Sequence, residues 1–284
     1  MFQRAAIVGP GLIGGSMGMA LRRKKLADVV VGIGRRKESL RRAMDVGAID
    51  RSTLDLEEGV READFVVLAT PTASFEEIIH AATPHLRPEA LLTDVASTKV
   101  RVIETVSAAL RERPDVAYIP THPMAGSEQS GPLAARADLF EGAVCIITPL
   151  TNTYPETKRT IRRMWEALGA TTVSMSPQAH DRLVARISHV PHLAAAALMG
   201  MLDDHEAGLA GGGLRDTTRI ASGSPELWID ICRSNREQVR RALDSYVEVL
   251  QQMSEALRDG NLGELRDMLE EAKRRRDSSL HETE

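Results

Sequence analysis

Disulfide bonding is the first thing this chain has little means for. Its 284 residues hold two cysteines, Cys145 and Cys232. That is too few for a disulfide framework, and no metal-ligand spacing accompanies them, so a cytoplasmic compartment is the default expectation. Aromatic residues amount to 3%, and a core must therefore be built from Ala, Leu, Val, Ile and Met. Positive charge is not in excess: the formal net charge is -4, which argues against nucleic acid as a partner. The longest apolar stretch, Leu193 to Leu202, is too short to span a bilayer, so no membrane association is expected. Met1-Phe2-Gln3-Arg4 leads directly into an apolar strand, and no signal peptide is expected. Neither an internal repeat nor a low-complexity segment stands out.

What is there is ordinary for a globular protein, with 43% hydrophobic and 27% charged residues. The length allows two domains with a large core. The first half alternates short apolar strands with helical patterns. Strands are expected at Ala5–Val8, Val29–Ile33, Phe65–Ala69, Ala90–Val95, Val116–Ile119, Ala143–Thr148 and Thr171–Met175. Such alternation means βαβ units and a parallel sheet. The fold class is thus an α/β Rossmann-type dinucleotide-binding domain, residues 1–176, followed by an all-α domain, residues 177–284.

The nucleotide reading rests on Gly9-Pro10-Gly11-Leu12-Ile13-Gly14, which follows the first strand and opens a helix. Gly9 allows the tight turn, Gly11 lets backbone approach a pyrophosphate, and Gly14 lets the helix pack on the strand. Backbone N–H groups at Leu12 and Ile13 then face the phosphates. At the end of the second strand an NAD-binding domain usually carries a carboxylate for the ribose 2′-OH. Here stand Gly34-Arg35-Arg36-Lys37. Arg35 and Arg36 suit a 2′-phosphate, which favours NADP over NAD. The plain alternative is a solvated basic helix start.

Ligands of such sheets bind beyond the carboxyl ends of the strands, and Thr70, Ser97 and His122 all fall there. In Asp94-Val95-Ala96-Ser97-Thr98-Lys99, Ser97 or Thr98 is also a candidate helix N-cap. The two roles are compatible if Thr98 caps and Ser97 faces the cleft. Lys99 is either a cofactor contact or a solvated side chain. Thr121 to Gly131 reads as a loop after a strand. Its His122 is a candidate acid/base, pushed toward extended backbone by Pro123.

From Ser176 on, only helices are expected. One helix starts at Ser176-Pro177 and runs through His180, Arg186, His189 and His192 into Ala194 to Met199. Its small apolar residues suit a central, buried position, against a second subunit in one reading. Further helices are expected at Leu214–Ile220, Pro225–Arg233, Glu237–Leu257 and Leu262–Arg276, with a frayed tail from Asp277 to Glu284. His189 and His192 share a helix face, but no third ligand joins them, and no metal is expected. Asp203-Asp204-His205-Glu206 reads as a solvated turn. Arg215, Asp216 and Arg219 follow a glycine run, and arginine there suits carboxylate recognition.

Together these residues resemble the prephenate dehydrogenase family, which includes arogenate and cyclohexadienyl dehydrogenases. The resemblance spans nearly the whole chain. It is carried by Gly9-x-Gly11-Leu12-Ile13-Gly14-Gly15-Ser16, Asp94 to Lys99, His122-Pro123-Met124-Ala125-Gly126-Ser127-Glu128, Ser188-His189-Val190-Pro191-His192 and Arg215-Asp216-Thr217-Thr218-Arg219-Ile220-Ala221. It implies oxidative decarboxylation of prephenate to 4-hydroxyphenylpyruvate, or of arogenate to tyrosine, with hydride transfer to NAD(P). It implies that His122 takes the proton of the ring hydroxyl and that Ser97 orients that hydroxyl. Arg219 would bind a substrate carboxylate, and His192 would line the pocket. Ser127 and Glu128 would border it, and Asp216 and Trp228 match further positions near the substrate. The helical half would be a homodimerisation domain. No regulatory domain is expected after the last helix, so any tyrosine feedback would act at the active site.

Two rival enzymes share this architecture, a β-hydroxyacid dehydrogenase and a pyrroline-5-carboxylate reductase. The former would use a lysine on the helical domain, and none stands in the corresponding helix. A non-enzymatic dinucleotide sensor would need the cofactor site but neither His122 nor Arg219.

Overall fold

The computed structural model describes residues 1–127, 129–151 and 153–279. Glu128 and the last residues of the expected frayed tail, 280–284, lie outside the described residues. The first half builds an eight-stranded sheet from Phe2–Val8 (β1), Ala27–Ile33 (β2), Arg51–Thr53 (β3), Phe65–Leu68 (β4), Leu91–Asp94 (β5), Ala117–Pro123 (β6), Val144–Ile147 (β7) and Thr171–Ser174 (β8), in the order β3-β2-β1-β4-β5-β6-β7-β8. Its helices are Leu12–Arg23 (α1), Lys37–Asp45 (α2), Leu56–Val60 (α3), Phe75–Ala82 (α4), Val100–Ala109 (α5) and Pro155–Ala167 (α6). Alternate strand residues feed two apolar clusters. One holds Ile7, Phe65 and Val67 with Met17 and Trp165; the other holds Val8, Val66 and Leu68 with Phe75 and Ile79. A strand buried on both faces reads as an unbroken apolar run, which is why these segments are conspicuous in the sequence.

Three features depart from the sequence reading. The three-residue strand β3 carries no apolar run and pairs only at the sheet's edge, through Val31, Gly32 and Ile33 of β2. The pairing of β6 with β7 is antiparallel, so the sheet is parallel in all but one ladder. And β6 does not stop at Ile119. It continues through two prolines to Pro123, because Thr121, His122 and Pro123 pair with Ile147, Ile146 and Cys145. His122 is therefore a strand residue rather than a loop residue.

Beyond β8 the described residues hold helices only: Pro177–Val184 (α7), Val190–Gly200 (α8), Asp204–Gly208 (α9), Gly212–Thr218 (α10), Pro225–Ser234 (α11), Arg236–Arg258 (α12) and Leu262–Ser279 (α13). α7 and α8 form the single run expected, but Ala185–His189 between them is a π-helical turn. Pro191 supplies the reason. Its missing N–H and its ring cannot be fitted to the carbonyl one regular turn earlier, and the widened turn removes that conflict. α8 is also less covered than its composition implies: of its residues, Val190, His192 and Ala195 are buried. Residues 203–206 form a capping box that starts α9, with Asp203 and Glu206 bonding reciprocally. The helix α13 includes the first three residues of the expected fray, Asp277 to Ser279. No helix among the described residues is long and apolar enough to cross a membrane.

Candidate active site

The parallel part of the sheet ends in one row of paired residues, Ile33–Val8–Leu68–Asp94–Pro120. One to three residues past that row lie Arg35, Gly9, Thr70, Ser97 and His122. The register therefore gathers these expected site residues on one edge.

At the centre of that edge is the glycine turn. Gly9 has φ +91, a left-handed backbone suited to glycine, and any side chain there would meet Thr70 Cγ2 at 2.8 Å. A Cβ on Gly14 would lie 2.5 Å from the Gly9 carbonyl and 2.9 Å from Ile7, so this glycine sets the approach of α1 to β1. A Cβ on Gly11 would meet nothing within 4 Å. The first turn of α1 carries no acidic residue, and no side chain caps its amides. Open space in front of uncapped helix amides fits a pyrophosphate. Arg35 and Arg36 are exposed beside this turn. Neither forms an ion pair or side-chain hydrogen bond among the described residues.

His122 is 7% exposed. Its Nδ1 lies 2.8 Å from Nε2 of His180, on α7, and His180 Nδ1 lies 2.8 Å from Oδ1 of Asp181. The Asp181 carboxylate accepts two backbone amides from the other half of the chain, Lys99 N at 2.8 Å and Val100 N at 2.9 Å. Asp181 thus caps α5. Neither Ser97 nor Thr98 does so: the helix begins at Val100 with Lys99 at the N-cap, and Thr98 Oγ1 is buried without a partner among the described residues. Residue type points to Ser97 or Thr98 as the cap, but the amides turn toward a carboxylate 82 residues later. Ser97 is half-buried past the end of β5.

Lys99 is not a solvated side chain. It is 0% exposed and pairs with Asp94, whose carboxylate also accepts from Tyr118 Oη at 2.7 Å and Ala96 N at 2.9 Å. Removing an ammonium from water requires such a partner. Burial, followed by the neighbouring His180, Lys99 and His189, holds the His122 imidazole well below the usual histidine range. Burial lowers His180 as well, against its bond to Asp181, and pushes His189 down to about 4.

A second group lies on the helical half. His192 stacks on Trp228 with ring centroids 3.5 Å apart and planes 11° apart, and His189 meets the same indole edge-on. Gly223 closes over the pair: a Cβ there would lie 2.8 Å from Trp228 Nε1 and 3.3 Å from His192 Cε1. Arg219 and Asp216 are exposed nearby, Asp216 on α10 and Arg219 opening the 3₁₀ turn Arg219–Ser222 that leads to Gly223. Ser127 is exposed, and its hydroxyl accepts from Gln129 N at 3.0 Å, so it is engaged within its own loop. The halves are also tied at Asp230 of α11, which accepts from Thr72 Oγ1 at 2.7 Å and Ala73 N at 3.1 Å. No group of three His, Cys, Asp or Glu side chains placed to hold a metal occurs among the described residues.

Residue-type reasoning missed His180, Asp181 and the Asp94–Lys99 pair as members of the site. The only local signal was the adjacent His180-Asp181 at a helix start.

Two family models match in chain order. The first, described as prephenate dehydrogenase, nucleotide-binding domain, covers residues 17–174. The second, described as prephenate dehydrogenase, dimerization domain, covers residues 176–271. The chain belongs to the prephenate dehydrogenase family. A prephenate dehydrogenase of Bacillus subtilis is 36% identical over 251 residues, 85% of this chain and 66% of the relative, so the chain spans just under two thirds of that protein's length. A cyclohexadienyl dehydrogenase of Zymomonas mobilis is 34% identical over 90% of this chain and 89% of its own. A solved structure of Aquifex aeolicus prephenate dehydrogenase, in complex with hydroxyphenyl propionate and NAD+, superposes with a TM-score of 0.90 at 32% identity, covering 98% of both chains. This membership decides against the two rival enzyme families.

Proposed function

We propose that this chain oxidatively decarboxylates prephenate to 4-hydroxyphenylpyruvate, or arogenate to tyrosine, in tyrosine biosynthesis, with NADP or NAD as hydride acceptor. The observation that carries the reading is His122: a buried imidazole kept neutral near pH 7, on the same sheet edge as the glycine turn. A neutral imidazole is the form that accepts a proton.

The cofactor would be held by Gly9, Gly11, Leu12, Ile13, Gly14 and Thr70, with Arg35 and Arg36 on a 2′-phosphate. When bound, it takes the hydride from the ring carbinol carbon. His122 takes the hydroxyl proton as the carbonyl forms, and Ser97 orients that hydroxyl. Loss of CO₂ then breaks the ring-to-carboxylate bond. Its electron pair makes the ring aromatic and returns charge to the same oxygen, which takes the proton back from His122. Arg219 anchors a substrate carboxylate, His192 on its Trp228 stack lines the pocket, and Asp216, Ser127 and Glu128 border it. Aromatisation drives the carbon–carbon cleavage, so these residues need only bind, orient and hold one proton.

The domain division of this reading is 1–176 for the dinucleotide and 177–284 for substrate and dimerisation. Exposed Met201, Leu209, Ile229, Val249, Leu250 and Leu257 in the helical half support a homodimer formed there, where a second chain would cover them. Two free cysteines support a cytoplasmic setting.

The test is product identification. Protein incubated with prephenate and either dinucleotide should yield 4-hydroxyphenylpyruvate and reduced cofactor in equal amounts, or tyrosine from arogenate. Dinucleotide binding without turnover of either substrate would favour the sensor reading instead.

A further inference from the structure

The Asp181 carboxylate is only an acceptor. It receives Lys99 N–H, Val100 N–H and the Nδ1 side of His180. The proton of His180 must therefore sit on Nδ1 for that contact to be a hydrogen bond. In a singly protonated ring, Nε2 is then an acceptor. The atom facing it at 2.8 Å, His122 Nδ1, must donate. The lone pair of His122 is left on Nε2.

We propose that His180 and Asp181 are positioning residues that fix the His122 tautomer, with the proton on Nδ1 and the basic lone pair on Nε2. The argument deepens the assignment of His122 as the base and rests on it. When Nε2 of His122 takes the substrate proton, Nδ1 keeps its own, and the bond to His180 Nε2 strengthens because its donor is now charged. The Asp181 carboxylate steadies that charge through His180, and when the proton returns to the product oxygen the starting tautomer is restored. No bond between heavy atoms changes in the relay.

The relay also spans the two halves of the chain. His122 lies in β6 of the first half, while His180 and Asp181 lie on α7 of the second. Asp181 is held by the α5 amides and by Asn235, whose Nδ2 donates to its backbone carbonyl at 2.8 Å. The base is therefore set in its working tautomer only where the helical half is seated on the sheet.

The direct test is the ring-nitrogen spectrum of ¹⁵N-histidine-labelled protein at neutral pH, with the His122 signals identified by their loss in His122→Asn. Expected is a protonated, pyrrole-type Nδ1 and a pyridine-type Nε2. A pyrrole-type Nε2, or an even mixture, would overturn the proposal. His180→Gln should blur that assignment and lower kcat/KM by about 10- to 100-fold, the size of effect seen when an outer partner that orients a histidine is removed, with dinucleotide affinity unchanged. Wild-type turnover in His180→Gln would also overturn it. The wild-type spectrum is decisive even if that variant fails to fold. It is readable without substrate, so a protein that turned over neither prephenate nor arogenate would defeat the functional reading and not this one.

Discussion

Asp181 Oδ1 accepts the backbone amide of Lys99 at 2.8 Å, so a residue of the first helical-domain helix caps a helix of the nucleotide-binding half. The same carboxylate takes the amide of Val100 and the ring of His180. One buried anion thus serves a helix terminus, an inter-domain contact and the orientation of the proposed base.

Asp181→Ala should therefore cost stability well beyond a surface change. A lost cap alone costs about 1 kcal/mol, and amides left buried without a partner add about 1–3 kcal/mol each. Urea unfolding should show a loss of at least about 2 kcal/mol. A change below about 0.5 kcal/mol, the size of an ordinary surface substitution, would mean that the amides find other partners.

Among the described residues, Arg35 and Arg36 have no ion-pair partner just past the end of β2. Initial rates with the four pairings of two substrates and two cofactors set the native preference. Replacing both arginines with alanine should then lower kcat/KM with NADP about 10- to 100-fold, the worth of one or two charge-assisted bonds, and leave the value with NAD nearly as it was. No loss with either cofactor would assign these side chains to solvent, and equal losses with both would place them on a part the two cofactors share.

The buried histidines give the fold an acid limit. Their folded values lie below the ordinary 6.5, so in mild acid the unfolded chain binds more protons than the folded one, and stability rises with pH. The contribution is complete above about 6.5, the unfolded value, and is lost as pH falls from there toward about 4, the value for His189. His189 alone should account for about 2 kcal/mol between pH 8 and pH 5. The ring faces Trp228, Asn235, His180 and Asp181. Urea midpoints at the two pH values check this, and His189→Asn should flatten the difference.

α12 exposes Val247, Val249, Leu250 and Leu257 in the single chain, and of its length only Val239 and Ala256 are buried. Leu250→Glu should shift the mass in sedimentation equilibrium from two chains toward one. A wild-type mass of one chain would remove the dimer from the account.

Much of this site was legible in residue order. The glycine turn, Thr70, Ser97 and His122 follow strand ends, and an apolar strand followed by a break is a local pattern. What was not legible depends on partners far along the chain. β6 runs through Pro120 and Pro123 because β7 supplies a ladder there. Lys99 is buried because Asp94 waits for it, and α5 is capped from α7. The π turn before Pro191 is local in cause, but its effect on where His189 points depends on Trp228 and Asn235. Residue type announced the candidate side chains for the chemistry. Which side chains hold them in place was set by the docking of two halves.

The most direct test of the central claim is the steady-state kinetics of His122→Asn with the preferred substrate and cofactor. The account predicts a kcat lower by roughly 10²- to 10⁴-fold, the usual contribution of a positioned base, with KM little changed and dinucleotide binding intact. Turnover near the wild-type rate would show that His122 is a packing residue and that the base lies elsewhere.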